Sequence, residues 1–103
     1  MDKEAFVKIK EFKTEVEEDI PLDMLLFFGS RTTDHYRNDS DIDLMIVSEG
    51  FKGVNVLDRV AKMYDYWTFM CPVDFICFTP EEFNERKNRF SIVSEALATG
   101  VAV

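Results

Sequence analysis

The sequence has few of the residues that mark disordered or secreted chains. It contains four glycines and three prolines in 103 residues, against ten phenylalanines, three tyrosines and one tryptophan. This composition excludes a low-complexity chain and favours packed layers. The chain also lacks a basic, apolar leader at its start and any apolar run near the roughly 18 residues that a membrane span needs. We therefore expect a cytoplasmic protein with no membrane segment.

Cysteine is also scarce, with Cys71 and Cys77 as the two examples. They lie six positions apart in a stretch that is predicted to be extended, which holds their Cα atoms too far apart for a disulfide. We expect two free thiols. With 47% hydrophobic residues, a chain of this length can bury one core but not two, so a single domain is predicted over residues 1–103.

Acidic residues outnumber basic residues in the sequence. Twelve Lys and Arg face twenty Asp and Glu, which gives a formal charge of −8. That charge repels a phosphate backbone and makes nucleic-acid groove binding an unlikely function class. It is compatible with a single nucleotide if divalent cations lie between the carboxylates and the phosphates, because the ion reverses the local sign.

Apolar periodicity and turn signals divide the chain into helices and strands. Continuous apolar runs bounded by Pro or Gly predict buried strands, whereas apolar residues at helical spacing predict amphipathic helices. Strands are predicted at 24–28, 44–47 and 73–78, with a tail or short edge strand at 101–103. Helices are predicted at 2–20, from Asn55 toward Pro72, from Thr79, and through Ile92 to Gly100. This order predicts an α/β or α+β fold, a small sheet of three or four strands with helices packed against it.

Three local predictions accompany these elements. Thr79, Pro80 and Glu82 have the spacing of a capping box with Pro in the first helical position. Gly100 is predicted to end the last helix in a left-handed conformation. The helix after Asn55 is predicted to bury the residues at helical spacing on its apolar face, namely Val56, Leu57, Val60, Ala61, Tyr64 and Trp67.

Three acidic residues are the candidates for metal chemistry. Asp41 and Asp43 lie two residues apart at the entrance of a strand, so their side chains project from the same face. Such a pair alone is more often a solvated rim. Asp74, however, is flanked by the apolar residues of another predicted strand, where an unpaired charge is costly. Three carboxylates on adjacent strands form an oxygen-only set suited to Mg²⁺.

A glycine and a serine follow the first predicted strand directly. Gly29 allows the backbone to approach a ligand closely, and Ser30 offers a hydroxyl and an N–H group to a phosphate oxygen. Gly-Ser after a strand is a common turn when taken alone. Its combination with Asp41, Asp43 and Asp74, each in a strand context, is the informative pattern.

The segments Gly29-Ser30-Arg31 and Ser40-Asp41-Ile42-Asp43-Leu44 resemble the signature of the polymerase-beta-like nucleotidyltransferases, and most of all the minimal nucleotidyltransferases. The resemblance implies a mixed sheet flanked by helices. It also implies transfer of a nucleoside monophosphate, AMP from ATP as donor, to a hydroxyl with two Mg²⁺ ions. Such proteins commonly pair with a helical HEPN-type partner in toxin-antitoxin systems, and some attach AMP to a tyrosine of that partner.

The same resemblance assigns roles by position. Asp41 and Asp43 would be catalytic metal ligands, and Asp74 would be a third ligand and the acceptor-activating base. Gly29, Ser30 and Arg31 would bind the triphosphate of the nucleotide. These roles agree with the needs of phosphoryl-group chemistry, which depends mainly on positioning and on charge neutralisation.

Three other residues of the loop between Ser30 and Asp41 have predicted environments. Asp34 stands where the family commonly carries a second Gly, so we expect it to keep the turn through its tolerance of left-handed geometry and to add an anion near the triphosphate. Arg37 near Asp39 is predicted to make a weak surface pair, and His35 is predicted to be solvated.

Two alternatives stay open at this stage. One is an interaction module or antitoxin with a degenerate site, which binds its partner without chemistry. The other, weaker one is a transferase acting on a small molecule such as an antibiotic, although the chain is short for shaping such a pocket. The acceptor, the nucleotide preference and homo- or hetero-oligomeric assembly are not determined by the sequence.

Overall fold

The computed structural model describes residues 1–88 and 92–103. Within these residues the strands are β1 (Met24–Phe28), β2 (Ile42–Val47), β3 (Val73–Phe78) and β4 (Val101–Ala102). The α-helices are α1 (Lys3–Glu17), α2 (Val56–Tyr66), α3 (Pro80–Arg86) and α4 (Ile92–Thr99). Single turns of 3-10 helix occupy Ser30–Thr32 and Glu49–Phe51. The predicted strands and helices are therefore all present, and α1 ends before its predicted limit at Ile20.

The four strands form one mixed sheet in the order β3-β2-β1-β4. β2 and β3 are parallel, because α2 carries the chain back between them, whereas β1 pairs antiparallel with both β2 and β4. The short β4 is an edge strand opposite Leu26 and Phe27. This arrangement confirms the predicted α+β class.

Helices cover both faces of the sheet and separate two apolar cores. Leu25 and Phe27 of β1 point into the core under α1 and α2, which also contains Phe12 and Met63. The alternate residues of the strands point into a smaller core under α3 and α4. The strands read as continuous apolar runs because both faces are covered.

Local capping signals locate the helix starts. The Oγ of Thr79 accepts the N–H of Glu82, and the Glu82 carboxylate accepts the N–H of Thr79, so the predicted capping box is confirmed with Pro80 at the first position. Asn55 caps α2 by accepting the N–H of Asp58. Asp2 caps α1 by accepting the N–H of Ala5.

The predicted buried face of α2 is wrong for Val56, Leu57 and Ala61, which are exposed, whereas Val60 and Trp67 pack against the core as predicted. Leu57 is 82% exposed and Val56 is 56% exposed, whereas Arg59 and Met63 are buried. The helix is rotated because Arg59 satisfies its guanidinium with the carbonyls of Val54 and Cys77 and with a carboxylate. A buried charge that is paired with a carboxylate and two carbonyl groups is tolerated, so the apolar residues beside it can face outward.

The predicted left-handed cap at Gly100 is also wrong. Among the described residues positive φ occurs at Gly29 and Gly53 only. A Cβ on Gly100 would lie 2.3 Å from the carbonyl oxygen of Ala96, so glycine is required for a close approach as the chain leaves α4 for β4.

The sequence predicts free cysteines and no membrane-spanning helix. Cys71 and Cys77 are both free thiols, as expected. Of the helices in residues 1–88 and 92–103, none has the length and apolar character that crossing a membrane demands.

Candidate active site

β1 ends at a glycine whose backbone conformation other residues avoid. Gly29 has φ 86° and ψ −167°, a region that is essentially restricted to glycine. A Cβ at this position would lie 2.1 Å from Oδ2 of Asp43. Gly29 therefore turns the chain out of β1 and at the same time leaves the room that the Asp43 carboxylate occupies against the backbone.

Asp43 and Asp74 lie side by side at this end of the sheet. In the parallel pairing of β2 with β3, Asp43 is opposite Asp74, and in the antiparallel pairing of β1 with β2, Phe28 is opposite Asp43. Neighbouring strands are about 4.8 Å apart, so the Gly29 turn and the two acids occupy adjacent positions. Asp41 immediately precedes β2, two residues before Asp43, and projects from the same face of an extended chain.

Asp43 is the half-buried member of this acidic group. Its pKa is raised from 3.8 to about 6, first by burial and then by the negative charges of Asp74, Asp41 and Glu95. Glu95 belongs to α4, which packs over the same face of the sheet. The structure thus brings the three predicted acids into one electrostatic group and adds a fourth carboxylate to it.

The expected burial of Asp74 is corrected. Asp74 is exposed, although it lies in the predicted strand between apolar residues. Further along the same face of β3, Ile76 is half-buried and Phe78 is buried. α3 and α4 cover the far end of this face and leave the end with Asp74 open, so the carboxylate is solvated and needs no buried partner.

The metal-coordinating atoms of these side chains determine whether the group suits a divalent cation. Asp41, Asp43 and Asp74 supply oxygen atoms only, the donor type that Mg²⁺ prefers. Across residues 1–88 and 92–103, however, no three His, Cys, Asp or Glu side chains are gathered closely enough to hold a metal ion. The backbones are adjacent, and convergence on one ion would require side-chain rotation. Burial and the neighbouring carboxylates both raise the pKa of Asp43, and a bound cation would offset the repulsion among those carboxylates, so the donor chemistry fits.

Ser30 begins the 3-10 turn that follows Gly29. The turn is held by Thr32, whose N–H and hydroxyl both donate to the carbonyl of Gly29, and by Thr33, which donates to the carbonyl of Ser30. Ser30 is exposed, and its hydroxyl makes no hydrogen bond within the described part of the chain. The turn thus presents a free hydroxyl next to the glycine and the acids.

Arg31 occupies a position that differs from the predicted triphosphate contact. It is buried, with 7% of its surface exposed. Its guanidinium donates to the Asp2 carboxylate and to the backbone carbonyls of Asn38 and Ser40. Arg31 therefore joins the Ser30 turn to the 38–40 segment and to the start of α1.

The loop residues Asp34, His35 and Arg37 are exposed. Asp34 does not adopt positive φ, so the turn needs no left-handed residue there. Its carboxylate lies 2.6 Å from the N-terminal ammonium of Met1, which lowers its pKa. The side chains of Arg37 and Asp39 form the predicted surface pair at 3.2 Å. His35 is exposed, as predicted.

Sequence reasoning missed two residues of this region. Glu95 approaches Asp43 only because α4 packs beside β1, and no local pattern indicates that packing. The sequence predicts a helix that starts at Asp2. It does not indicate that Asp2 also pairs with Arg31, because this contact joins residues that are 29 positions apart. The position of Asp2 before an apolar helical run signals the cap alone.

The comparisons with known proteins agree with this geometry. The sequence model of a family described as nucleotidyltransferase domain matches residues 9–99. A solved structure of a candidate nucleotidyltransferase from Sulfolobus solfataricus is 29% identical, with a TM-score of 0.62 over 91% of this chain and 74% of that chain. BolA1 from Arabidopsis thaliana has a TM-score of 0.58 at 19% identity, over 73% and 94% of the two chains, which shows a similar fold alone. No curated protein matches significantly.

Proposed function

Because the chain belongs to the nucleotidyltransferase domain family, we propose that it transfers AMP from ATP to a hydroxyl acceptor in a Mg²⁺-dependent reaction. The observation that carries the proposal is the adjacent placement of Gly29, Asp43 and Asp74 at one end of β1, β2 and β3. The proposal treats residues 1–103 as a single nucleotidyltransferase domain.

Each side chain has a role in this proposal. Asp41 and Asp43 hold the cation that accompanies the triphosphate. Gly29 and Ser30 face the phosphate oxygens, with the exposed Ser30 hydroxyl as donor. Asp74 serves as a further ligand and accepts the proton of the attacking hydroxyl, a role that its exposed position at the sheet edge permits. Arg31 is not assigned to the nucleotide, because it is buried and its Nε, Nη1 and Nη2 each donate to a protein group.

The reaction balances as a substitution at the α-phosphorus. The acceptor oxygen forms a bond to this phosphorus, the bond to the bridging oxygen breaks, and pyrophosphate leaves, while the acceptor proton passes to Asp74. The two Mg²⁺ ions, when bound, supply charge neutralisation for the attacking and leaving oxygens. The protein contributes placement, because the sheet fixes Asp43 and Asp74 in register.

A protein acceptor, a tyrosine of a HEPN-type partner in an antitoxin role, is part of the proposal. It is supported by exposed apolar side chains on α2, where Val56 and Leu57 face outward and offer contact area for a partner. The same surface would serve an interaction module without chemistry, which is the second candidate. The free thiols Cys71 and Cys77 fit a reducing compartment, so a cytoplasmic location is also proposed.

Label transfer from ATP tests the proposal. Incubation of the protein and its co-purified partner with ATP labelled at the α-phosphate and Mg²⁺ should label the partner, whereas ATP labelled at the γ-phosphate should not. The Asp43→Asn variant should bind the partner and transfer nothing. Transfer of no label to the partner, or to a panel of hydroxyl compounds, would contradict the enzyme and leave partner binding as the function.

A further inference from the structure

A buried arginine connects three segments of the chain around the candidate active site. Arg31 lies in the 3-10 turn that begins with Ser30. Its Nε donates to the carbonyl of Ser40 at 2.8 Å, and its Nη2 donates to the carbonyl of Asn38 at 2.9 Å. These two carbonyls belong to the segment that leads directly into Asp41. The guanidinium thus ties the phosphate-facing turn to the chain that carries the first acid.

The third connection is to the start of α1. The Nη1 of Arg31 lies 2.5 Å from Oδ2 of Asp2, and both side chains are less than one tenth exposed. The other oxygen of Asp2 caps α1, and the N–H of Asp2 donates to the carbonyl of Arg31 at 2.9 Å. The ring of Tyr36 lies 5.1 Å from the guanidinium carbon. Arg31 is therefore held in place and itself holds the loop.

This arrangement relates two groups that the proposed reaction needs at a fixed separation. Ser30 and Asp41 are connected by a loop of ten intervening residues, and most of that loop is exposed. Without the hydrogen bonds of Arg31, such a loop samples many conformations. A displaced metal ligand lowers the affinity for the nucleotide. A guanidinium group presents five N–H donors in a fixed planar fork, whereas an ammonium group presents three donors from a single nitrogen.

We propose that Arg31 is a positioning residue that sets the placement of Asp41 relative to the Gly29-Ser30 turn, and that Asp2 makes the start of α1 part of this support. The inference rests on the proposed function, because it assigns a consequence for nucleotide binding. It differs from the role that resemblance suggested, in which Arg31 would contact the triphosphate itself.

The chain contains a matched control for Arg31. Arg59 of α2 is 6% exposed, and its guanidinium donates to the carbonyls of Val54 and Cys77 and to the carboxylate of Glu82. The ring of Phe51 lies 5.8 Å from it. The two arginines have the same kinds of partners, but Arg59 is bonded near the end of β3 that is remote from Asp74.

The experiment compares Arg31→Met, Arg31→Lys and Arg59→Met at a temperature at which circular dichroism shows all three to be folded. Magnesium-ATP binding is measured by calorimetry, and amide hydrogen exchange is followed by mass spectrometry. We expect Arg31→Met to weaken binding roughly 10- to 100-fold, the usual effect of losing a group that orients a metal ligand. Arg59→Met should change it by no more than about twofold. Arg31→Lys should be intermediate, because lysine keeps the charge beside Asp2 but not all three bonds.

Hydrogen exchange separates this inference from the proposed function. Amides of residues 29–42 should exchange faster in Arg31→Met than in Arg59→Met, whether or not nucleotide binds. If the wild-type protein binds no magnesium-ATP, the proposed function is wrong. Hydrogen exchange would still test whether Arg31 holds residues 29–42 in place. Equal losses of binding in the two methionine variants, or unchanged exchange in residues 29–42, would overturn the positioning role.

Discussion

Substitution of Gly29 by alanine should damage the site more than the fold. The backbone conformation at Gly29 is almost exclusive to glycine, and forcing a side chain into it costs about 1 to 3 kcal/mol. In addition, the new Cβ would lie 2.1 Å from Oδ2 and 3.1 Å from Cγ of Asp43, so the carboxylate must move. A loss of about 2 kcal/mol lowers the melting temperature by roughly 8 to 16 °C in a domain of this size.

Gly53→Ala provides the control, because Gly53 also has positive φ, at 76°, but a Cβ there would meet nothing within 4 Å. It should cost roughly 1 to 2 kcal/mol through the backbone alone. Urea unfolding measures both losses, and calorimetric titration of magnesium-ATP measures the site. Gly29→Ala should weaken nucleotide binding at least about tenfold, whereas Gly53→Ala should leave it unchanged. Normal binding by folded Gly29→Ala, or equal loss in both variants, would show that Gly29 does not make room for the Asp43 carboxylate in the nucleotide site.

Three further predictions follow from charge, burial and capping. Because the pKa of Asp43 rises from 3.8 to about 6 on folding, metal-free protein should lose stability as the pH rises from roughly 4 to 6, by about 1 to 2 kcal/mol after solvent screening. Asp43→Asn should abolish this loss in urea unfolding with a chelator, and an unchanged pH profile in this variant would show that Asp43 is not the titrating group. Burial raises the pKa of Cys77 to about 12, so iodoacetamide should modify Cys71 first at pH near 8 in the folded protein, as peptide mass mapping would show. Thr79→Ala should lose about 1 kcal/mol of unfolding free energy with the capping box, and a change below about 0.3 kcal/mol would argue against that contribution.

The parts of the fold that depend on local chemistry could be predicted from the sequence. The apolar run Met24–Phe28 lies between Pro21 and Gly29 and forms the predicted strand, and the capping box of Thr79, Pro80 and Glu82 starts the predicted helix. The two-residue spacing of Asp41 and Asp43 specifies one face of a strand in any context. These predictions needed no knowledge of what lies across the sheet.

The features that failed depend on neighbours that are distant in sequence. The exposure of Asp74 reflects which end of the sheet α3 and α4 leave open. The rotation of α2 follows from the bonds of Arg59 to β3 and to Glu82. Arg31 has the composition of a phosphate contact, but its partners, Asp2 and the 38–40 segment, are brought to it only by folding. A long polar side chain has several uses, and tertiary contacts select among them.

The central claim is that acids at the ends of β2 and β3 hold a nucleoside triphosphate through a divalent cation. Its most direct test is a calorimetric titration of ATP into the wild type and the Asp41→Asn/Asp43→Asn variant, each with and without Mg²⁺. We expect the wild type to bind ATP only with Mg²⁺ and the variant not to bind it. Absence of binding in the wild type, or equal binding by the variant, would contradict the claim.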